Sequence, residues 1–126
     1  MKLRIQGNSL RLRITPSEMA RLLADGRIEE TICFGSDPNA SLTYALEHNA
    51  RATAMSVRYT LREVTVILSS ADAQQWAGGQ DVGVYAEAAT SHGVISLAVE
   101  KDFACLDKSD AENTDTFPNP NQGAVC

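Results

Sequence analysis

Thiols and imidazoles are scarce in this chain, and their scarcity limits its chemistry. Among 126 residues there are three cysteines (Cys33, Cys105, Cys126) and two histidines (His48, His92). An odd, widely spaced set of cysteines is not a disulfide framework, and without a CxxC pair or a His-rich tract there is no zinc finger or ribbon. No apolar run approaches the roughly 18 residues that cross a bilayer. The opening Met1-Lys2-Leu3-Arg4-Ile5-Gln6-Gly7-Asn8 alternates and then turns, unlike the continuous apolar stretch of a secretion signal. A cytoplasmic location with reduced thiols and no membrane attachment is the expectation. Gly-x-Ser-x-Gly, His-Glu-x-x-His and a phosphate-cradling glycine loop are all missing. Positive charge is also in deficit. The net charge is −5, and six acids against two lysines from Glu100 onward leave the remainder nearly neutral. That balance argues against generic nucleic-acid binding, which needs a net positive footprint.

What the chain does have is a repeat. Thr15-Pro16-Ser17-Glu18-Met19-Ala20-Arg21-Leu22-Leu23 precedes Ser69-Ser70-Ala71-Asp72-Ala73-Gln74-Gln75-Trp76-Ala77 by fifty-four positions. The same offset sets Leu3 and Ile5 on Val57 and Tyr59, Leu10, Leu12 and Ile14 on Val64, Val66 and Leu68, and Ile28 on Val82. A fixed period implies a fixed structural unit. Alternation around Gly7-Asn8 predicts a hairpin with Leu3, Ile5, Leu10, Leu12 and Ile14 facing inward. Thr15, Pro16 and Glu18 form an N-cap, a first-turn proline and a capping-box partner. They open a short helix that buries Met19, Leu22 and Leu23 and ends at Gly26. Strands follow from Arg27 and around Leu42, Tyr44 and Leu46. In the second copy the helix begins with Ser69 and Asp72, buries Ala73, Trp76 and Ala77, and ends at Gly78-Gly79. Trp76 is read as core filler.

The expected architecture is α+β. Two ββαββ repeats, at about 2–49 and 53–102, are related by a pseudo-twofold axis and form one domain over 1–103. They would give either a barrel with two short helices or a sandwich of two interlocked sheets. Residues 104–126 are read as an extended acidic arm anchored by Phe103, Phe117, Pro118 and Pro120, packed on its own domain or on a neighbour.

Glu100-Lys101-Asp102-Phe103-Ala104-Cys105-Leu106, followed by Phe117-Pro118-Asn119-Pro120, resembles a family of small uncharacterised bacterial proteins. The opening Lys2-Leu3-Arg4-Ile5-Gln6-Gly7-Asn8-Ser9-Leu10-Arg11-Leu12-Arg13 shares that resemblance. It extends over most of the chain, is most specific at the two ends, and implies a bacterial, cytoplasmic protein without carrying an activity.

Period-two geometry sends Lys2, Arg4, Arg11 and Arg13 to one hairpin face. Such a basic face is either a solvated strand surface, a seat for the chain's own acidic arm, or a weak binder of polyanions or nucleic acid. A zinc site would draw on Cys105 and Cys126 with tail carboxylates such as Asp115. The competing reading makes Cys105 a small packed hydrophobe and Cys126 a terminal thiol, with no metal and no cofactor. Cys33 with His48 or His92, and the repeat-matched Glu47 and Glu100, are further pairs that folding would have to bring together. Without a convergent catalytic set, the leading expectation is a non-enzymatic binding or interaction module. It would be a homodimer, with possible protein partners through the arm. A metal- or thiol-dependent protein is the alternative.

Overall fold

The computed structural model describes residues 1–104 and 115–118. The first half runs β1 (Lys2–Gln6), β2 (Ser9–Ile14), α1 (Pro16–Asp25), β3 (Arg27–Cys33) and β4 (Ser41–Asn49). The second half repeats the order as β5 (Ser56–Thr60), β6 (Glu63–Ser69), α2 (Ser70–Gly78), β7 (Gly83–Thr90) and β8 (Gly93–Lys101). Each sheet takes one hairpin from each half. The first sheet has the order β1-β2-β8-β7 and the second β3-β4-β6-β5. Hairpins are antiparallel within themselves, and the seams β2–β8 and β4–β6 are parallel. Exchanging the hairpins of one half for those of the other converts either sheet into its counterpart. The molecule is therefore an open sandwich of interlocked sheets, and the barrel alternative is set aside. No helix among the described residues is long and apolar enough to cross a membrane.

Both helices start with the chemistry expected of them. Thr15 Oγ1 accepts from the Glu18 amide while Glu18 Oε1 accepts from the Thr15 amide at 3.0 Å, and Gly26 closes α1 at φ 81°. Ser69 Oγ accepts from the Asp72 amide at 3.0 Å. In the first hairpin Gly7 takes φ 54° at the first turn position, which suits a glycine-first order. The matching turn, Leu61-Arg62, places two side-chain-bearing residues at φ 48° and 64°, a strained choice.

Both helices lie at one end of the sandwich, because each links the end of a strand in one sheet to the start of a strand in the other. The four hairpin tips point the opposite way. Along the central strands burial deepens toward the helices: Leu12 to Ile14, Leu97 to Val99, Leu46, and Val66 to Leu68 are all essentially buried. Trp76 joins them, and its indole N–H donates to Val82 O at 3.2 Å. Each such side chain contributes roughly 1.5–3 kcal/mol. Toward the tips the interior loosens. Ile5 is inward by alternation yet 63% exposed, and Ile32, Phe34 and Tyr59 are exposed with it. Leu23, expected inside, is 40% exposed because the helix presents only Met19 and Leu22 to the core.

Ile28 and Val82 are not equivalent. Ile28 faces Leu46 and Val84 faces Val99, so register pairs Ile28 with Val84. Two extra residues between α2 and β7 produce the shift, and they leave the Val82 carbonyl to serve Trp76 and the Lys101 amide.

Glu18 is 6% exposed and receives the Met1 ammonium. Burial alone would raise its pKa. Hydrogen bonds from the ammonium and from Thr15, with the ammonium's attraction, outweigh burial and hold the carboxyl below its usual range. A lowered folded-state pKa stabilises the fold above the unfolded value, and the gain is lost as pH falls through the folded one. Glu18→Gln is expected to cost about 1–3 kcal/mol at neutral pH. Urea unfolding at descending pH should show the gap closing below the normal carboxylate range, and a pH-independent gap would contradict this role.

Candidate functional site

The basic face predicted from alternation is the outer surface of the first sheet. The ladder sets Lys2 opposite Arg13 and Arg4 opposite Arg11. Across the parallel seam, Arg13 lies beside Glu100, Arg11 beside Ala98 and Ser9 beside Ser96. In β7, Gly83, Tyr85 and Glu87 complete the same three rows. The surface is therefore assembled from both halves of the chain.

Two of the four cations are neutralised. Lys2 Nζ lies 2.9 Å from Asp102, and Arg11 lies 3.6 Å from Glu100. Arg4 donates to the neutral Gln6 amide oxygen at 2.8 Å. Among the described residues, neither Arg4 nor Arg13 has a carboxylate partner. Directly opposed like charges destabilise a strand pair, and this hairpin carries two such pairs in succession.

A groove of about 470 Å³ opens on this surface, lined by Arg4, Gln6, Ser9, Arg11, Tyr85, Glu87, Ser96 and Ala98, with Leu10, Ala86 and Leu97 beneath. Its floor is low because Ala98, Ser9 and Ser96 are small. At one end Tyr85 donates its hydroxyl to Glu100 Oε2 at 2.7 Å. Partial burial and that hydrogen bond push the phenol up to about 12. A second hollow of about 190 Å³ lies between Lys2, Leu3, Arg4, Arg11 and Arg13.

The equivalent face of the second sheet is closed. Arg27 occupies the position of Gly83 and reaches Glu29 at 3.1 Å, Glu47 at 3.4 Å and Glu63. Arg58, the counterpart of Arg4, lies 2.7 Å from Glu47. Under this lattice Ala45 and Thr65 are buried, at 1% and 0% exposure. Burial would lower the Arg27 pKa, but the bonds to Glu63 and Glu29 raise it, while Arg27 and Thr65 hold Glu63 low. In the first sheet that position is Gly83 and Ser9 stands in the place of Glu63, so no guanidinium–carboxylate bridge crosses the rows where the groove opens.

The other candidate residues are dispersed. Glu47 and Glu100 lie on the outer faces of different sheets, each with its own partners, so the matched positions do not form a carboxylate dyad. Cys33 is an exposed free thiol at the tip end of β3, paired with Ser41, whereas His48 lies seven residues along β4 toward the helices. That separation, roughly 24 Å at 3.4 Å per residue, excludes a Cys33–His48 pair. His48 Nδ1 instead meets Ser70 Oγ at 2.8 Å, a contact that residue spacing does not reveal. Its buried Nε2 has no partner among the described residues. His92 sits in the β7–β8 turn.

Cys105, Cys126 and Pro120 lie outside the described residues. Asp115 accepts from Ser17 Oγ at 2.5 Å beside α1, and that bond holds its carboxyl low. Among the described residues no three His, Cys, Asp or Glu side chains group as metal ligands. Phe117 is bracketed by backbone bonds, from its own amide to Asp102 O at 2.8 Å and from the Ala104 amide to its carbonyl at 2.5 Å. Its ring meets Phe103 edge-on at 6.1 Å and lies under Lys101 Nζ at 5.5 Å. Pro118 is exposed.

Gly83 can be tested directly. A Cβ there would meet Val99 O at 2.5 Å, and Glu100 Cγ and the Tyr85 hydroxyl at 3.0 Å. Gly83→Ala should destabilise by about 1–3 kcal/mol and displace Tyr85 from Glu100. The readouts are denaturant unfolding and the tyrosine pH titration. An unchanged Tyr85 titration would contradict the described packing.

Comparison with curated proteins and with solved structures finds no match to either. The DUF7009 family, described as a family of unknown function, matches residues 1–121, and the chain belongs to that family.

Proposed function

We propose that this protein is a non-enzymatic binding module that recognises an anionic group on the outer face of its first sheet. The observation that carries the reading is the contrast between two equivalent surfaces. One neutralises Arg27 and Arg58 internally. The other sets Lys2 against Arg13 and Arg4 against Arg11, and leaves Arg4 and Arg13 unneutralised among the described residues. A bound anion relieves that repulsion. The groove offers guanidinium, amide and hydroxyl groups that hold a ligand. An exposed Cys33 thiol fits the reducing, bacterial cytoplasm that belongs to this proposal.

Thermal unfolding in inorganic phosphate, at fixed ionic strength set with chloride, tests the reading. Stabilisation should rise with the logarithm of phosphate concentration above Kd, reaching about 1.4 kcal/mol at ten times Kd. Arg4→Gln with Arg13→Gln should remove the phosphate response and slightly raise stability without phosphate. An equal response in wild type and double variant would overturn the reading.

A homodimer formed through the tip end is a second reading, favoured by a specific strain. Leu61 is 87% exposed at φ 48°, close to Tyr59, at the end of the sandwich that also exposes Ile5, Ile32 and Phe34. Several exposed apolar side chains at one end suit a second copy. Leu61→Asn with Arg62→Gly relieves the turn and removes the apolar tip. It should raise monomer stability by about 1 kcal/mol while weakening association measured by light scattering. Unchanged association would count against the tip contact.

A further inference from the structure

We infer that the ligand of this face is a phosphorylated sugar-like molecule, with its phosphate among the four cations and a neutral, hydroxyl-bearing body in the groove. The inference rests on the anion-binding reading and specifies its ligand.

The two hollows share a wall. Arg4 and Arg11 line both the smaller hollow between the cations and the larger groove. One molecule can therefore place a charged end in the first and its body in the second. The smaller hollow gathers one ammonium and three guanidinium groups, with hydrogen-bonding capacity well beyond what two carboxylate oxygens use. A dianionic phosphate monoester, with three terminal oxygens, matches that capacity and charge.

The groove has the opposite character. Glu87 sits on its far wall with no cationic partner among the described residues. A carboxylate there repels a second phosphate, so the bound body is not a polyphosphate or a nucleic-acid strand. The same carboxylate accepts hydrogen bonds from neutral hydroxyls. The Gln6 amide and the Ser96 hydroxyl can donate along the walls, while the hydroxyls of Ser9 and Tyr85, whose protons go to Gln6 O and Glu100, accept. The floor of Ala98 and Ser96 lets a ring approach the backbone closely, and the exposed Tyr85 ring offers an apolar flank for its C–H faces. A volume of about 470 Å³ suits a body of one or two sugar rings.

Calorimetric titration of the whole chain separates the claims, with inorganic phosphate, glucose, glucose 6-phosphate and a single-stranded oligonucleotide as probes. Glucose 6-phosphate should bind about tenfold tighter than inorganic phosphate, and tighter than the oligonucleotide, while free glucose shows no heat. Ala98→Leu, which fills the floor, and Glu87→Ala, which removes the acceptor, should each return glucose 6-phosphate to the affinity of inorganic phosphate. Inorganic phosphate should still bind both variants, slightly more tightly to Glu87→Ala because a negative charge is removed from the same face, and that retained binding also reports a folded protein. Equal affinities for phosphate and glucose 6-phosphate in the wild type, or a gain that survives both variants, would overturn the sugar assignment and leave the anion site standing. Tighter binding of the oligonucleotide would also overturn the assignment. Failure of inorganic phosphate to bind at all would remove both claims together.

Discussion

The structure depends on two parallel strand seams, β2 with β8 and β4 with β6. Each joins a hairpin of one half to a hairpin of the other. Neither half closes a sheet of its own. A lone hairpin is marginal in water, whereas four strands with a shared apolar face are not. The seam residues Leu12, Val99, Leu46 and Val66 are also among the most buried in the molecule, so pairing and core formation are the same event. The contacts that define the fold connect residues far apart in sequence, and loop closure must precede them. The capped helices lie where the chain crosses from one sheet to the other and fix the direction of that crossing.

The same seams build the candidate site. Arg4 and Arg11 come from the first half, whereas Tyr85, Glu87 and Ala98 come from the second. Duplication supplies an internal comparison, because each outer face occupies the same place in the same scaffold. The second sheet uses Arg27, Glu47, Glu63 and Arg58 to seal its surface. The first replaces that arginine with Gly83 and concentrates cations instead. Strand order and pairing are shared between the halves, so the difference between the faces lies in their outward side chains.

Local chemistry was legible in the sequence. The caps at Thr15 and Ser69, the ββαββ order and the outward placement of Lys2, Arg4, Arg11 and Arg13 follow from hydrogen-bonding rules and a period of two, which need no tertiary information. The partners of each hairpin were not legible, because alternation sets which way a side chain faces but not which strand lies beside it. The groove floor was hidden for the same reason: Ser9 meets Ser96, and Arg11 meets Ala98, only across the seam. The equation of Ile28 with Val82 failed at a two-residue insertion that a constant offset cannot see. Ile5 and Leu23 followed the apolar pattern, but one lies at the open tip of an edge strand and the other at the flank of a short helix, where there is too little structure to cover them. Phe103 and Phe117 stand out in the sequence by their size, but the edge-on contact between them and the place of Phe117 beneath Lys101 depend on the fold.

Exchange of hairpins between the halves is the central claim, and cross-strand nuclear Overhauser effects test it most directly. The account predicts parallel-strand connectivities between Leu12 and Val99 and between Leu46 and Val66. Connectivities joining β2 to β4 and β6 to β8 would contradict it, because each half would then form its own sheet and the groove shared by Arg11 and Tyr85 would not exist.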